Sequence, residues 1–78
     1  MPSIANINVA TFKRFLISLG LSYISTKGGH EKWKKKGMLR PIIFQTHIDP
    51  IPVDVIMNNL RTLGVNKKDL LETIDKLR

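Results

Sequence analysis

The chain has no cysteine in its 78 residues. That excludes disulfides, thiolate zinc sites, iron–sulfur clusters and cysteine nucleophiles together. Small secreted domains usually carry disulfide staples, so the cytoplasm is the expected compartment. No apolar run approaches the roughly 18 residues a membrane span needs. The opening Met1-Pro2-Ser3-Ile4 has no basic stretch of the kind that begins a signal peptide. No basic amphipathic helix with a broad apolar face is evident, so a membrane partner is not expected. Repeats, linkers and low-complexity segments are absent. Acidic residues are scarce, with six Asp and Glu against thirteen Lys and Arg.

What is present suffices for one small folded domain. Apolar residues make up 42% of the chain, an ordinary share for a globular protein. A domain of this length hides about 60–65% of its unfolded surface, so a functional site should lie on the surface or between elements. The net charge is +7, and such a balance speaks about partners rather than fold. Polyanions come first among them, with nucleic acid ahead of lipid. The excess is local: Lys27, Lys32, Lys34, Lys35, Lys36 and Arg40 crowd one window with Glu31 as its only acid. Such a patch suits phosphate binding driven by counterion release; it also suits a solvated turn that only aids solubility.

Asn8 is placed to cap a first helix carrying Val9, Phe12, Phe15, Leu16 and Leu19, with Gly20 to end it. Leu21 to Thr26 reads as a strand, and Lys27-Gly28-Gly29 as a tight turn. His30 to Lys36 alternates as a second strand. After a turn at Gly37-Met38, Arg40 to His47 reads as a third, with Pro41 at its start or on an edge. Asp49-Pro50-Ile51-Pro52 is a break. A second helix carries Val53, Ile56, Met57, Leu60 and Leu63 and ends at Gly64. Asn66 caps a third, with Leu70, Leu71, Ile74 and Leu77. The expected fold is therefore α+β in the order α-β-β-β-α-α: a three-stranded antiparallel meander with helices over one face, a two-layer sandwich.

Side chains alternate along a strand. Trp33 belongs against the helices with Glu31 and Lys35, which turns His30, Lys32, Lys34 and Lys36 to the open face. Alternate residues are roughly 6.5–7 Å apart, comparable with successive phosphates of a nucleic-acid strand. Imidazole is suited to proton transfer near neutral pH. In RNA a base that takes the 2′-OH proton lets that oxygen attack its own phosphodiester, leaving a 2′,3′-cyclic phosphate and a 5′-OH, with no metal or cofactor required. Lysines would steady the phosphorane, and the Gly28-Gly29 backbone could approach a phosphate closely. The plainer alternative for His30 is an exposed strand residue without chemistry.

His47 is the second imidazole, on the open face by parity; it reads as a general acid for the leaving 5′-oxygen or as a structural or substrate-contacting residue. His47 with Asp49 forms an H-x-D pair with no third ligand, so no metal site is expected. Tyr23 could stack on a base, although strand aromatics are more often core. Ser22, Ser25 and Thr26 form no Ser–His–acid set.

These residues resemble the HicA family of bacterial toxins, small mRNA interferases paired with HicB antitoxins. The family's K-G-S-H followed by a polar pair and an aromatic is similar to Lys27-Gly28-Gly29-His30-Glu31-Lys32-Trp33; Gln45-Thr46-His47 and the Leu60-Arg61-Thr62-Leu63-Gly64 helix ending resemble it further. The likeness runs from about Phe12 to Val65. It implies a fold like a double-stranded-RNA-binding domain and a ribosome-independent endoribonuclease. It implies His30 as the catalytic residue; the charge and face readings above place Lys27, Gly28, Gly29, Lys32, Lys34, Lys36, Arg40 and His47 on RNA. It implies an mRNA substrate and a HicB-like antitoxin over the active site, in a hetero-oligomer, with a homo-oligomer as the other assembly. Gly29 stands where the family has Ser or Thr, the segment Met1–Ile7 is longer than expected, and the extra helix Asn66–Arg78 suggests partner binding or self-association.

Two other functions compete. One is a non-catalytic double-stranded-RNA-binding module. Such modules tend to start their last major helix with lysines, whereas here it starts Ile51-Pro52-Val53-Asp54. The other is a protein-interaction domain whose charge meets an acidic partner.

Overall fold

The computed structural model describes residues 4–77. Met1–Ser3 of the expected N-terminal segment and Arg78, the last residue of the expected third helix, lie outside them. The order is α1 (Val9–Ser18), β1 (Ser22–Lys27), β2 (His30–Lys34), β3 (Ile42–Gln45), α2 (Val53–Leu63) and α3 (Lys67–Leu77). The fold is α+β, with the three strands in one antiparallel sheet ordered β1-β2-β3. No helix among the described residues is long and apolar enough to cross a membrane.

Local chemistry sets the helix ends. Asn8 Oδ1 accepts from the Thr11 N–H (2.7 Å), and Asp49 Oδ1, from 40 residues away, accepts from the Val9 N–H (3.2 Å). Both satisfy amides that an N-terminus leaves unpaired. At the other end of α1 the Leu21 and Gly20 amides return to the Leu16 and Ile17 carbonyls, a Schellman closure. Asn66 and Asp69 exchange side-chain and backbone bonds of 2.8 and 3.3 Å at the start of α3, a reciprocal box.

The core lies between the helices and one face of β2 and β3. Phe12, Phe15 and Leu16 of α1, Ile42 and Phe44 of β3, Ile56 and Leu60 of α2, and Leu70 of α3 are all buried. Phe12 meets Phe44 edge-on, with centroids 5.3 Å apart, a favoured aromatic geometry. The C-terminal helix belongs to this core. Leu70 and Ile74 are buried, and Arg14 Nη2 donates to the Leu77 carbonyl at 2.8 Å. Ile4 and Ile7 of the N-terminal segment are buried as well, and the Ile7 carbonyl accepts from the Ile51 N–H (2.9 Å).

The structure departs from the sequence reading at the strand ends. β2 stops at Lys34 and β3 runs only from Ile42 to Gln45. Lys36 and Arg40 thus lie in the exposed connection rather than on the sheet. Met38 folds back there, its amide and sulfur both meeting the Lys35 backbone, and Pro41 has no N–H to extend pairing. β1 is exposed along its whole length, with a bulge between Tyr23 and Ser25. Tyr23 is 52% exposed rather than core; its ring stands edge-on to Trp33 and its hydroxyl bonds Thr26 Oγ1 (2.7 Å). It lies on the helix side of the sheet, away from the cationic face.

Candidate nucleic-acid interface and its imidazoles

The hairpin register builds the site. Gly28 and Gly29 form a two-residue turn with φ of 59° and 80°, the positive pair that a type I′ hairpin requires. Lys27 then lies directly opposite His30, and His30 opposite Gln45 on β3. The next row on the same face is Ser25, Lys32 and Ile43; Lys34 follows opposite Ser22. Opposed side chains on a sheet have Cβ atoms about 4.5–5.5 Å apart. The open face therefore carries Lys27 beside His30, with Lys32 and Lys34 further along, and all but the half-buried Lys34 are exposed.

The imidazole of His30 has a partner. Its Nε2 lies 3.0 Å from Gln45 Nε2. An amide that presents N–H there takes up the Nε2 lone pair and leaves the neutral ring's proton on Nδ1; an amide that presents Oε1 accepts Nε2–H and frees the Nδ1 lone pair. Either way Gln45 fixes the ring plane, and sequence reading missed it. Parity puts Gln45 on the open face, but the long β2–β3 connection leaves the register that pairs it with His30 unreadable.

His47 lies beyond β3, in the turn that follows. Its ring sits over Gly29: a Cβ added there would come 2.8 Å from His47 Nδ1 and 3.1 Å from Cε1. The Thr46 N–H bonds the Gly29 carbonyl at 3.0 Å, which fastens the turn to the hairpin. So the two imidazoles share one end of the sheet, and the glycine that separates Gly28 from His30 makes room for the second. Gly29→Ala should displace the His47 ring and cost about 1–2 kcal/mol of stability for a side chain at positive φ; a urea titration with an unchanged midpoint would refute this.

The reverse face of β2 is structural. Glu31 is only 5% exposed. It accepts from the Trp33 indole N–H (2.6 Å) and pairs with Lys13 Nζ (3.4 Å), which satisfies a carboxylate otherwise costly to bury. Lys35 also turns to this side, donating to the Leu19 carbonyl at 3.2 Å, where a cation suits a helix C-terminus. One lysine of the basic window is thus tied to the scaffold.

Next to His30 the surface dips into a cleft of about 240 Å³. Ile43 and Gln45 of β3 form one wall, and Ile48, Pro52 and Val55, at and before the start of α2, form the other. Asn59 of α2 ties the two walls together, its Nδ2 donating to the Ile43 carbonyl (3.2 Å). No sequence motif signals this cleft, because it exists only once α2 docks beside the edge strand. Asp49 is engaged as a cap for α1 rather than paired with His47. Among the described residues no cluster of three or more His, Cys, Asp or Glu could hold a metal. Comparison with known proteins found no matching family model, curated protein or solved structure.

Proposed function

We propose that this protein is an endoribonuclease that cleaves single-stranded RNA without a metal, with His30 as general base. One observation carries the reading: an exposed imidazole, held by Gln45, beside a row of ammonium groups on the open face of the sheet. The reaction uses the arrangement in which Gln45 Oε1 accepts Nε2–H, and the Nδ1 lone pair of His30 takes the 2′-OH proton. The alkoxide attacks the adjacent phosphorus and the P–O5′ bond breaks. A second acid protonates the leaving oxygen, and His47, at the same end of the sheet, is the candidate for that role. Lys27 and Lys32 offset the charge that grows on the phosphorane. The products are a 2′,3′-cyclic phosphate and a 5′-OH.

The motif likeness to HicA toxins supports the same reading and adds a regulator, a HicB-like antitoxin seated over His30. The double-stranded-RNA-binding alternative gains nothing from α2, whose first turn offers Asp54 and no cation.

The test is incubation with single-stranded RNA in EDTA across a salt series. Fragments should carry cyclic phosphate and 5′-OH ends. Lys27→Ala and Lys32→Ala should each flatten the log–log salt dependence of binding by about 0.7. Lys67→Ala and Lys68→Ala, on α3, should leave it unchanged. Fragments with 5′-phosphate ends, or no cleavage, would overturn the proposal, and equal slopes for the two lysine pairs would remove the binding row.

A further inference from the structure

The cleft beside His30 plays no part in the proton transfers described above, yet His30 and Gln45 line it. We infer that it is a subsite for one unstacked nucleobase of single-stranded RNA, seating the nucleotide whose ribose meets His30. The assignment rests on the ribonuclease reading and names the form of its substrate.

The walls are aliphatic, and two of them are open to water: Ile43 is 41% and Ile48 40% exposed. A concave, mostly apolar depression with a few polar groups at its edge is the usual form of a small-ligand site. The size limits the ligand. Drug-sized pockets run to about 300–1,000 Å³, so a cleft of about 240 Å³ admits a single planar ring system and not a helix face. Position then selects among small apolar groups. The row Lys27–His30–Gln45 crosses the sheet and ends at the cleft. Two strand spacings, about 10 Å, separate the Lys27 backbone from that of Gln45 at the cleft, with His30 between. A nucleotide has the same sequence of parts: phosphate, ribose hydroxyl, base. An apolar side chain of a protein partner would fill the cleft without using the cation or the imidazole.

The subsite has a further consequence for substrate form. A base inside a duplex is stacked and paired and cannot enter, whereas loops and single strands splay their bases freely. Gln45, at the rim, has a second amide atom left to meet a base edge.

The experiment uses the intact protein with labelled isoleucine and valine methyls, titrated with adenosine and uridine 3′-monophosphates and, separately, inorganic phosphate and N-acetyl-leucinamide. Ile43, Ile48 and Val55 should shift saturably with nucleotides, while Ile17 and Ile24, exposed elsewhere, stay put. Phosphate alone should leave all five unmoved. Unmoved cleft methyls, or shifts shared equally by Ile17 and Ile24, would overturn the assignment. Saturation by N-acetyl-leucinamide and not by nucleotide would overturn it too and give the cleft to a protein partner. Catalysis is not needed for this readout. RNA that is cut while the cleft methyls stay still removes the subsite and keeps the nuclease; methyls that shift in a protein that cuts nothing do the reverse.

Discussion

His30→Ala should reduce RNA cleavage by about a hundred- to ten-thousand-fold, the usual worth of a positioned acid–base group. The loss should appear in kcat and leave affinity nearly intact, because Lys27, Lys32 and Lys34 keep their places on the sheet. Folding should survive as well. The ring stands on the exposed face and bonds to Gln45, itself only half-buried and able to turn to water. Matching circular dichroism and thermal midpoints would establish that the variant is folded. Undiminished cleavage in such a variant would mean that another group takes the proton. Gln45→Ala gives a graded companion: if Gln45 acts only through His30, its removal should lower kcat less and should add nothing in the double variant.

Phe12→Ala should remove a large share of the domain's stability. Phe12 is fully buried, packing edge-on against Phe44 and at 6.1 Å from Phe15, so its removal opens a hollow between α1 and the sheet. Such truncations cost about 3–5 kcal/mol, and a domain of this size has about 4–12 kcal/mol in total at typical stability per residue. A urea midpoint within experimental error of the parent would show that Phe12 is not central to the core. Phe12→Leu, which keeps most of the volume, should recover more than half of the loss.

The two predictions draw on parts of the molecule that differed in how plainly the sequence announced them. The core could be read because Phe12, Phe15 and Leu16 recur at helical spacing and Asn8 and Asn66 sit where caps belong. The hairpin could be read because two glycines in a row fix both turn type and register, and alternation then sends His30, Lys32 and Lys34 to one face. The strand ends could not, since Lys36 and Arg40 continue the basic run while the backbone has already turned at Gly37. Nor could the bulge in β1, where the β-branched pattern continues across the irregularity. Gln45, the cleft and the Glu31–Trp33–Lys13 cluster all depend on elements far apart in sequence meeting in space, and no short-range pattern encodes that meeting. The family likeness pointed to His30 from its neighbours in the chain; it said nothing of the amide beside it.

The bond from Ile51 to Ile7, and that from Val9 to Asp49, join segments some forty residues apart. They anchor the strap that carries one wall of the cleft. The β1–β2 hairpin, by contrast, closes over two residues and has little loop entropy to overcome. Short-range closures form ahead of distant ones in a nascent chain. A newly made polypeptide would therefore set Lys27 and Lys32 beside His30 before it acquires the Gln45 amide or the hollow next to it. The cleavage proposed for His30 would then come last, when the two distant segments are tied.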